Sequence, residues 1–218
     1  YRIRIICKDG SYRWIGVRGR VVRDDSGALA GISASLRDIQ GEVDAELRLD
    51  KLARLDSLTG LLNRSEVYDR ISEMQDAAGH RAFALLFCDM DNLKELNDAY
   101  GHAAGDAVLR ELSTRIQASV RVADFVARIG GDEFLVVLTN IASSTEVLAL
   151  AERIRDAAAR GISFGEHQLF TTLSIGVALS GRDETVEVAV TRADLAMYQA
   201  KAQGRNRVVL DGTVPQQD

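Results

Sequence analysis

Proline is almost missing from this sequence: Pro215 stands alone among 218 residues. No proline-rich linker can divide the chain, so domain boundaries have to be read from pattern. Cysteine is nearly as scarce. Cys7 and Cys88 lie far apart in sequence and Cys88 ends an apolar run, which favours a reduced, buried role over a metal-binding pair. No uninterrupted apolar stretch of roughly 18 residues occurs and no basic-then-apolar leader opens the chain, so no membrane contact is expected of it. Positive charge is in deficit, with 27 Lys plus Arg against 32 Asp plus Glu, and a net charge of −5 offers no field to attract polymeric nucleic acid. These absences suit the cytoplasm. The chain opens at Tyr1 inside strand pattern and without methionine, so it is expected to be a piece of a longer protein, any membrane anchor lying upstream.

What is present is enough apolar material, 46% of residues, to build a core and exclude disorder. Residues 1–40 read as three short strands, Arg2 to Cys7, Tyr12 to Val22 and Ala28 to Leu36, separated by the turn clusters Asp9-Gly10 and Asp24-Asp25-Ser26-Gly27. An antiparallel β fragment follows from that punctuation. Residues 41–55 turn helical, with Glu42, Asp44 and Glu46 early and Arg48, Lys51 and Arg54 late, complementing the helix dipole. Its apolar seam (Val43 with Leu47; Ala45, Leu49 and Leu52) fits either a short coiled coil between two copies or a helix lying on its own domain.

Beyond it, helix is predicted at 65–78, 104–119, 143–160 and 187–203, and strand at 82–88, 123–129, 134–138, 168–179 and 205–210. Such alternation predicts an α/β (α+β) domain over 56–210, with a central mixed sheet flanked by helices and an antiparallel hairpin between Phe125–Ile129 and Phe134–Leu138. Residues 211–218 read as a flexible tail.

The apolar run from Ala82 to Cys88 has the mark of a strand covered on both faces, and it ends abruptly in Asp89-Met90-Asp91. If the strand persists, both carboxylates project to one side, and like charges about 4 Å apart repel by roughly 4 kcal/mol at an effective dielectric of 20. A bound cation would remove that repulsion. Asp-x-Asp by itself more often ends a strand and caps the following helix. Here Lys94, Asn97, Asp98, His102 and Asp106 follow within one polar segment, before an amphipathic helix carrying Val108, Leu112 and Ile116.

The second element is Arg128-Ile129-Gly130-Gly131-Asp132-Glu133-Phe134. Gly130-Gly131 permits a tight hairpin and lets backbone N–H groups approach a phosphate, while the two acids place hard oxygen ligands beside that turn. A lone Gly-Gly-Asp would be an ordinary surface turn.

Taken with Asp56-Ser57-Leu58-Thr59-Gly60-Leu61-Leu62-Asn63-Arg64, Gly101-His102 through Gly105-Asp106, and Tyr198 to Asn206, these motifs resemble the GGDEF family of diguanylate cyclases in order and spacing over residues 50–210. Residues 1–40 are similar to the last strands of a PAS sensor domain, through Lys8 to Trp14, Gly31 and Asp38-Ile39. The first resemblance implies a nucleotidyl-cyclase, palm-like domain joining two GTP molecules into cyclic di-GMP with release of two pyrophosphates, under control of the upstream sensor.

It further implies that Asp89, the Met90 carbonyl, Asp132 and Glu133 hold magnesium, or manganese in its place. Asp132 or Glu133 would accept the proton of the attacking 3′-hydroxyl, with Lys94 assisting. Asn97 and Asp106 would read guanine, His102 would line the same pocket, Gly130 and Gly131 would approach the nucleotide, and Lys94, Lys201 and Arg205 would face the triphosphate. Without the motif, Lys201 and Arg205 beside Gly204 would be ordinary basic residues at a helix end. Arg121 and Asp124 match the family's product-inhibition motif, although a bare Arg-x-x-Asp is usually a surface ion pair. Joining two GTP molecules implies a homodimer. Asn92 and Leu93 depart from the more frequent His and Phe, and neither departure removes a ligand. The alternative is a catalytically silent cyclic di-GMP receptor, a state reached by family members that lose the signature acids.

Overall fold

The computed structural model describes residues 1–77, 83–180 and 184–212, apart from the side chains of Arg48, Lys51, Asp76 and Ala77. The expected helix end at Ala78, the strand start at Ala82 and the tail beyond Gly212 lie outside them. Two compact units divide the chain, Tyr1–Ala53 and Arg54–Asp218.

In the first unit, β1 (Arg2–Ile6), β2 (Tyr12–Arg23) and β3 (Leu29–Asp38) form an antiparallel sheet in sequence order, followed by α1 (Gln40–Arg54). The turns close as their acids dictate: Asp9 accepts from the Ser11 amide and hydroxyl, and Asp24 does the same for Ser26. Ile15, Val17 and Ile39 are buried, while Leu47, Leu49 and Leu52 of α1 stay exposed.

The second unit is a five-stranded mixed sheet in the order β10-β9-β4-β6-β5. Its elements are α2 (Arg64–Ala77), β4 (Phe83–Met90), α3 (Leu93–Tyr100), α4 (His102–Ser119), β5 (Phe125–Gly130), β6 (Glu133–Thr139), α5 (Ser144–Ala158), a small hairpin of β7 (Ile162–Phe164) and β8 (His167–Leu169), β9 (Leu173–Leu179), α6 (Val186–Ala202) and β10 (Val208–Leu210). Among the described strands of this sheet, only the β10–β9 pair is parallel. No described helix is long and apolar enough to cross a membrane.

Every residue of β4 is buried. Period-two alternation assigns Ala84, Leu86, Cys88 and Met90 to one core with Leu96, Leu112, Ile116 and Ile154, and Phe83, Leu85 and Phe87 to the other with Val67, Ile71, Ala193 and Met197. Asp89 continues the second series and so belongs to the α6 side. On α6, Ala189, Ala193 and Met197 recur at intervals of four on that buried face, and Lys201 is the next member. Gly176 of β9 lets the helix settle close: a Cβ there would fall 2.0 Å from the Ala193 carbonyl oxygen and 2.1 Å from the Met197 nitrogen.

Several expected elements differ. The single strand expected over 168–179 is two, β8 and β9, broken at Phe170-Thr171-Thr172 because Thr171 and Thr172 turn to bond Asp91. The strand expected over 205–210 starts only at Val208, since Arg205 and Asn206 adopt left-handed conformations, φ 61° and 45°. The polar segment after Asp91 contains the helix α3.

Candidate active site

The end of β4 and the β5–β6 turn meet because the strands pair: Asp89 is directly opposite Glu133 on β6 and opposite Ser174 on β9. The Met90 amide donates to the Asp132 carbonyl at 3.0 Å, which locks the turn against the strand end. Around this junction lies an open cleft of about 160 Å³ whose walls include Asp89, Met90, Lys94, Asp132, Lys201 and Arg205.

Asp89 is buried, and Lys201 Nζ approaches its Oδ1 at 2.7 Å. The same oxygen receives no well-aligned hydrogen bond among the described residues, so Lys201 holds it as a close ion pair. Burial pushes the Asp89 carboxyl up to about 6, Lys201 opposing the rise and Asp132 and Glu133 adding to it. Burial also raises Glu133, with Asp132 and Asp194 adding to the effect. The Glu133 carboxylate curls back toward the turn, its Oε2 3.5 Å from where a Cβ on Gly130 would sit. Cys88, wholly buried beside Asp89, is a free thiol that burial raises far above its usual range.

A buried, poorly satisfied carboxylate with a cation already drawn to it is chemically suited to a divalent metal. Among the described residues no three His, Cys, Asp or Glu side chains gather as a complete cage. The donors fit magnesium of the kind held by one or two carboxylates and a carbonyl, the remaining positions falling to water and phosphate oxygens.

Asp91 departs from the expected pairing with Asp89. β4 ends at Met90, so the condition for two carboxylates on one strand face fails, and Asp91 turns instead to accept from Thr172 and Ser174 hydroxyls at 2.5 and 2.8 Å and from the Asn206 amide at 3.2 Å.

Asn97 and Asp106 are half-buried on successive helices α3 and α4, and His102 is exposed at the start of α4. Gly105 is what admits the amide: a Cβ there would lie 2.1 Å from Asn97 Oδ1. That oxygen is buried and has no hydrogen-bond donor among the described residues, a costly condition unless a bound group supplies one. Leu93, beside it, packs on the main core, its Cδ1 3.2 Å from the same point.

Sequence reasoning gave Arg128 no role. In the structure its Nε and Nη2 donate to the Gly131 carbonyl at 2.9 and 2.6 Å while Nη1 donates to Asp56 at 3.1 Å, clamping the glycine turn to the Asp56–Thr59 segment. Arg-x-x-Gly with a distant acid was the available signal.

Arg121 and Asp124 lie elsewhere, on a second cleft of about 160 Å³ with Leu138, Ile141, Glu146 and Arg153. They do not form the side-chain ion pair a bare Arg-x-x-Asp suggests. Asp124 accepts from the Arg121 and Thr139 amides, each at 3.0 Å, whereas the Arg121 guanidinium pairs with Glu146.

Comparison with known proteins gives a consistent picture. Residues 53–207 match the family described as "Diguanylate cyclase, GGDEF domain". The bifunctional diguanylate cyclase/cyclic di-GMP phosphodiesterase MucR of Pseudomonas aeruginosa is 41% identical over 165 residues, covering 74% of this chain and 24% of MucR. The chain thus spans about a quarter of that curated relative. The crystal structure of the coiled coil and GGDEF domain of DgcB from Caulobacter crescentus, in complex with c-di-GMP, superposes with a TM-score of 0.73 at 28% identity, covering 79% of this chain and 93% of that one. For the GGDEF domain of TpbB from Pseudomonas aeruginosa the TM-score is 0.68 at 40% identity, covering 72% and 94%.

Proposed function

Since the chain belongs to the GGDEF family of diguanylate cyclase domains, we propose that it condenses two GTP molecules into cyclic di-GMP, releasing two pyrophosphates. The observation that carries this reading is the cleft at the end of β4, whose lining brings Asp89 and Asp132 together with the cations Lys94, Lys201 and Arg205. The acids suit a metal, and the cations suit a triphosphate.

Asp89, Asp132 and the Met90 carbonyl would hold magnesium or manganese, with Glu133 completing the acidic group. When bound there, the ion would supply neutralisation of phosphate charge and a lowered pKa for the attacking 3′-hydroxyl. Lys201, now paired with Asp89, would turn to the phosphates with Lys94 and Arg205. Glu133 is suited to accept the hydroxyl proton, because burial moves its pKa toward the working pH. Asn97 and Asp106 would select guanine, the amide accepting through its oxygen and donating through its NH₂ while the carboxylate accepts from the N1 and N2 hydrogens. His102 would close the pocket's edge, with Gly130 and Gly131 offering backbone to the nucleotide.

One such cleft serves one GTP, so two copies must face each other in a homodimer. Arg121 and Asp124 would bind cyclic di-GMP and slow turnover, and the PAS-like residues 1–40 would act through the helix over 41–55. Incubation with GTP and magnesium, with product identified by mass and a metal-free control, tests the reading. A silent receptor would bind cyclic di-GMP and yield no product.

A further inference from the structure

Asp91 is buried more completely than Asp89, its side chain only 1% exposed, and no step above uses it. The residue is fixed by its main chain as well: its amide donates to the Thr172 carbonyl at 2.9 Å, and its carbonyl accepts from the Thr171 hydroxyl at 3.0 Å. The carboxylate bonds Thr172 and Ser174 on one side and the Asn206 amide on the other. It therefore joins the end of β4 to the entry of β9 and to the loop after α6.

That loop is strained. Arg205 and Asn206 are consecutive non-glycine residues at positive φ, an arrangement that persists only where surroundings over-determine it. The Arg205 amide donates to the Ala200 carbonyl at 3.0 Å, and Asn206 Oδ1 accepts from Arg155 Nη1 of α5 at 3.0 Å. Asp91 is the loop's buried anchor.

Hydroxyls and one amide need only acceptors, and a neutral side chain would serve them. A buried charge is costly unless a cation balances it. Here that cation is Arg205, whose Nε stands 4.0 Å from Asp91 Oδ1, a loose pair that leaves a half-exposed guanidinium free to point into the cleft.

We propose that Asp91 is a positioning residue for the nucleotide phosphates: its charge and its bond to Asn206 hold Arg205 in a strained conformation at the cleft mouth before GTP arrives. The inference rests on the function proposed above, with GTP as substrate.

Asp91→Asn isolates the charge, since the amide oxygen can still accept from Asn206 and Thr172 while the NH₂ donates to the Ser174 hydroxyl. Calorimetric titration with GTP in calcium, together with KM and kcat in magnesium, should show binding weakened and KM raised about tenfold, with kcat moving far less. Arg205→Ala should do the same, and the double variant should be no worse than the weaker single one. Unchanged GTP binding by Asp91→Asn, or losses that multiply in the double variant, would overturn the proposal. If Asp91→Asn does not fold, Arg205→Ala carries the test, because its side chain is half-exposed and its removal leaves the bonds of Asp91 to Thr172, Ser174 and Asn206 in place; KM should rise, and an unchanged KM overturns the proposal. Wild-type protein that fails to bind GTP would instead sink the parent reading, and this inference with it.

Discussion

Arg128 Nη1 lies 3.1 Å from Asp56 Oδ1 across 72 residues of sequence, while the same guanidinium grips the Gly131 carbonyl with its other nitrogens. The pair is largely shielded, and although burial alone would raise Asp56, Thr59 and Arg128 hold its carboxyl below the usual range. Arg128→Lys keeps the charge and loses the fork. Stability should fall by about 2 kcal/mol in urea denaturation, and activity should drop further than that loss explains, because the Gly130-Gly131 turn is released. Full activity in Arg128→Lys would show that the clamp is dispensable.

Asp132→Ala and Glu133→Ala should each abolish turnover of GTP while preserving circular dichroism and melting behaviour, since both residues are only half-buried, at the β5–β6 turn and the start of β6. Product formation at the parent rate by either variant would remove that residue from the mechanism.

Gly105→Ala places a methyl group where Asn97 Oδ1 now sits. The amide must swing away, at a cost of about 1–3 kcal/mol, and the preference for GTP over ATP should narrow. Competition binding of the two nucleotides measures it; an unchanged ratio would mean that Asn97 does not read the base.

Asp89 predicts an unusual pH dependence in chelator. Its folded pKa of about 6 exceeds the unfolded value, so the folded state holds a proton that the unfolded chain releases between about pH 4 and 6. The contribution is complete below that window and lost as pH rises through 6. Asp89→Asn should therefore gain on the parent from pH 5 to pH 7.5, by about 2 kcal/mol at most. Parallel denaturation midpoints across that range would contradict the buried-carboxylate account.

Arg121→Ala should relieve inhibition by cyclic di-GMP with little change in stability, because its partner Glu146 is reached at an exposed surface where such pairs contribute about 0–1 kcal/mol. Dose–response curves with added product decide it. Unaltered inhibition would leave this second cleft without a regulatory role.

The sheet was legible where local signals agreed. Ala82 to Cys88 read as a covered strand from its continuous apolar run, and the eight residues Phe83–Met90 are all buried; the hairpin around Gly130-Gly131 carried its own turn chemistry. α3 was illegible because it has eight residues and a single buried one, Leu96. The break before β9 was hidden in Phe170-Thr171-Thr172, all strand-forming types, and depends on Asp91 some 80 residues earlier. At the site, motif spacing brought out Asp89, Lys94, Asp132, Lys201 and Arg205, which do share a cleft. The separate duties of Asp91 and Arg128 were not readable, since both consist of bonds to partners distant in sequence.

The main-chain contact at Gly176 has a bearing on how this domain could diverge or be redesigned. With helix and strand touching backbone to backbone, the height of the ammonium group above the sheet is set by the thickness of two polypeptide chains. Side chains on the exposed face of α6, such as Val188, Leu195 and Tyr198, can be exchanged without lifting it, so charge reach in the cleft has to be retuned through side-chain length at 201 or 205.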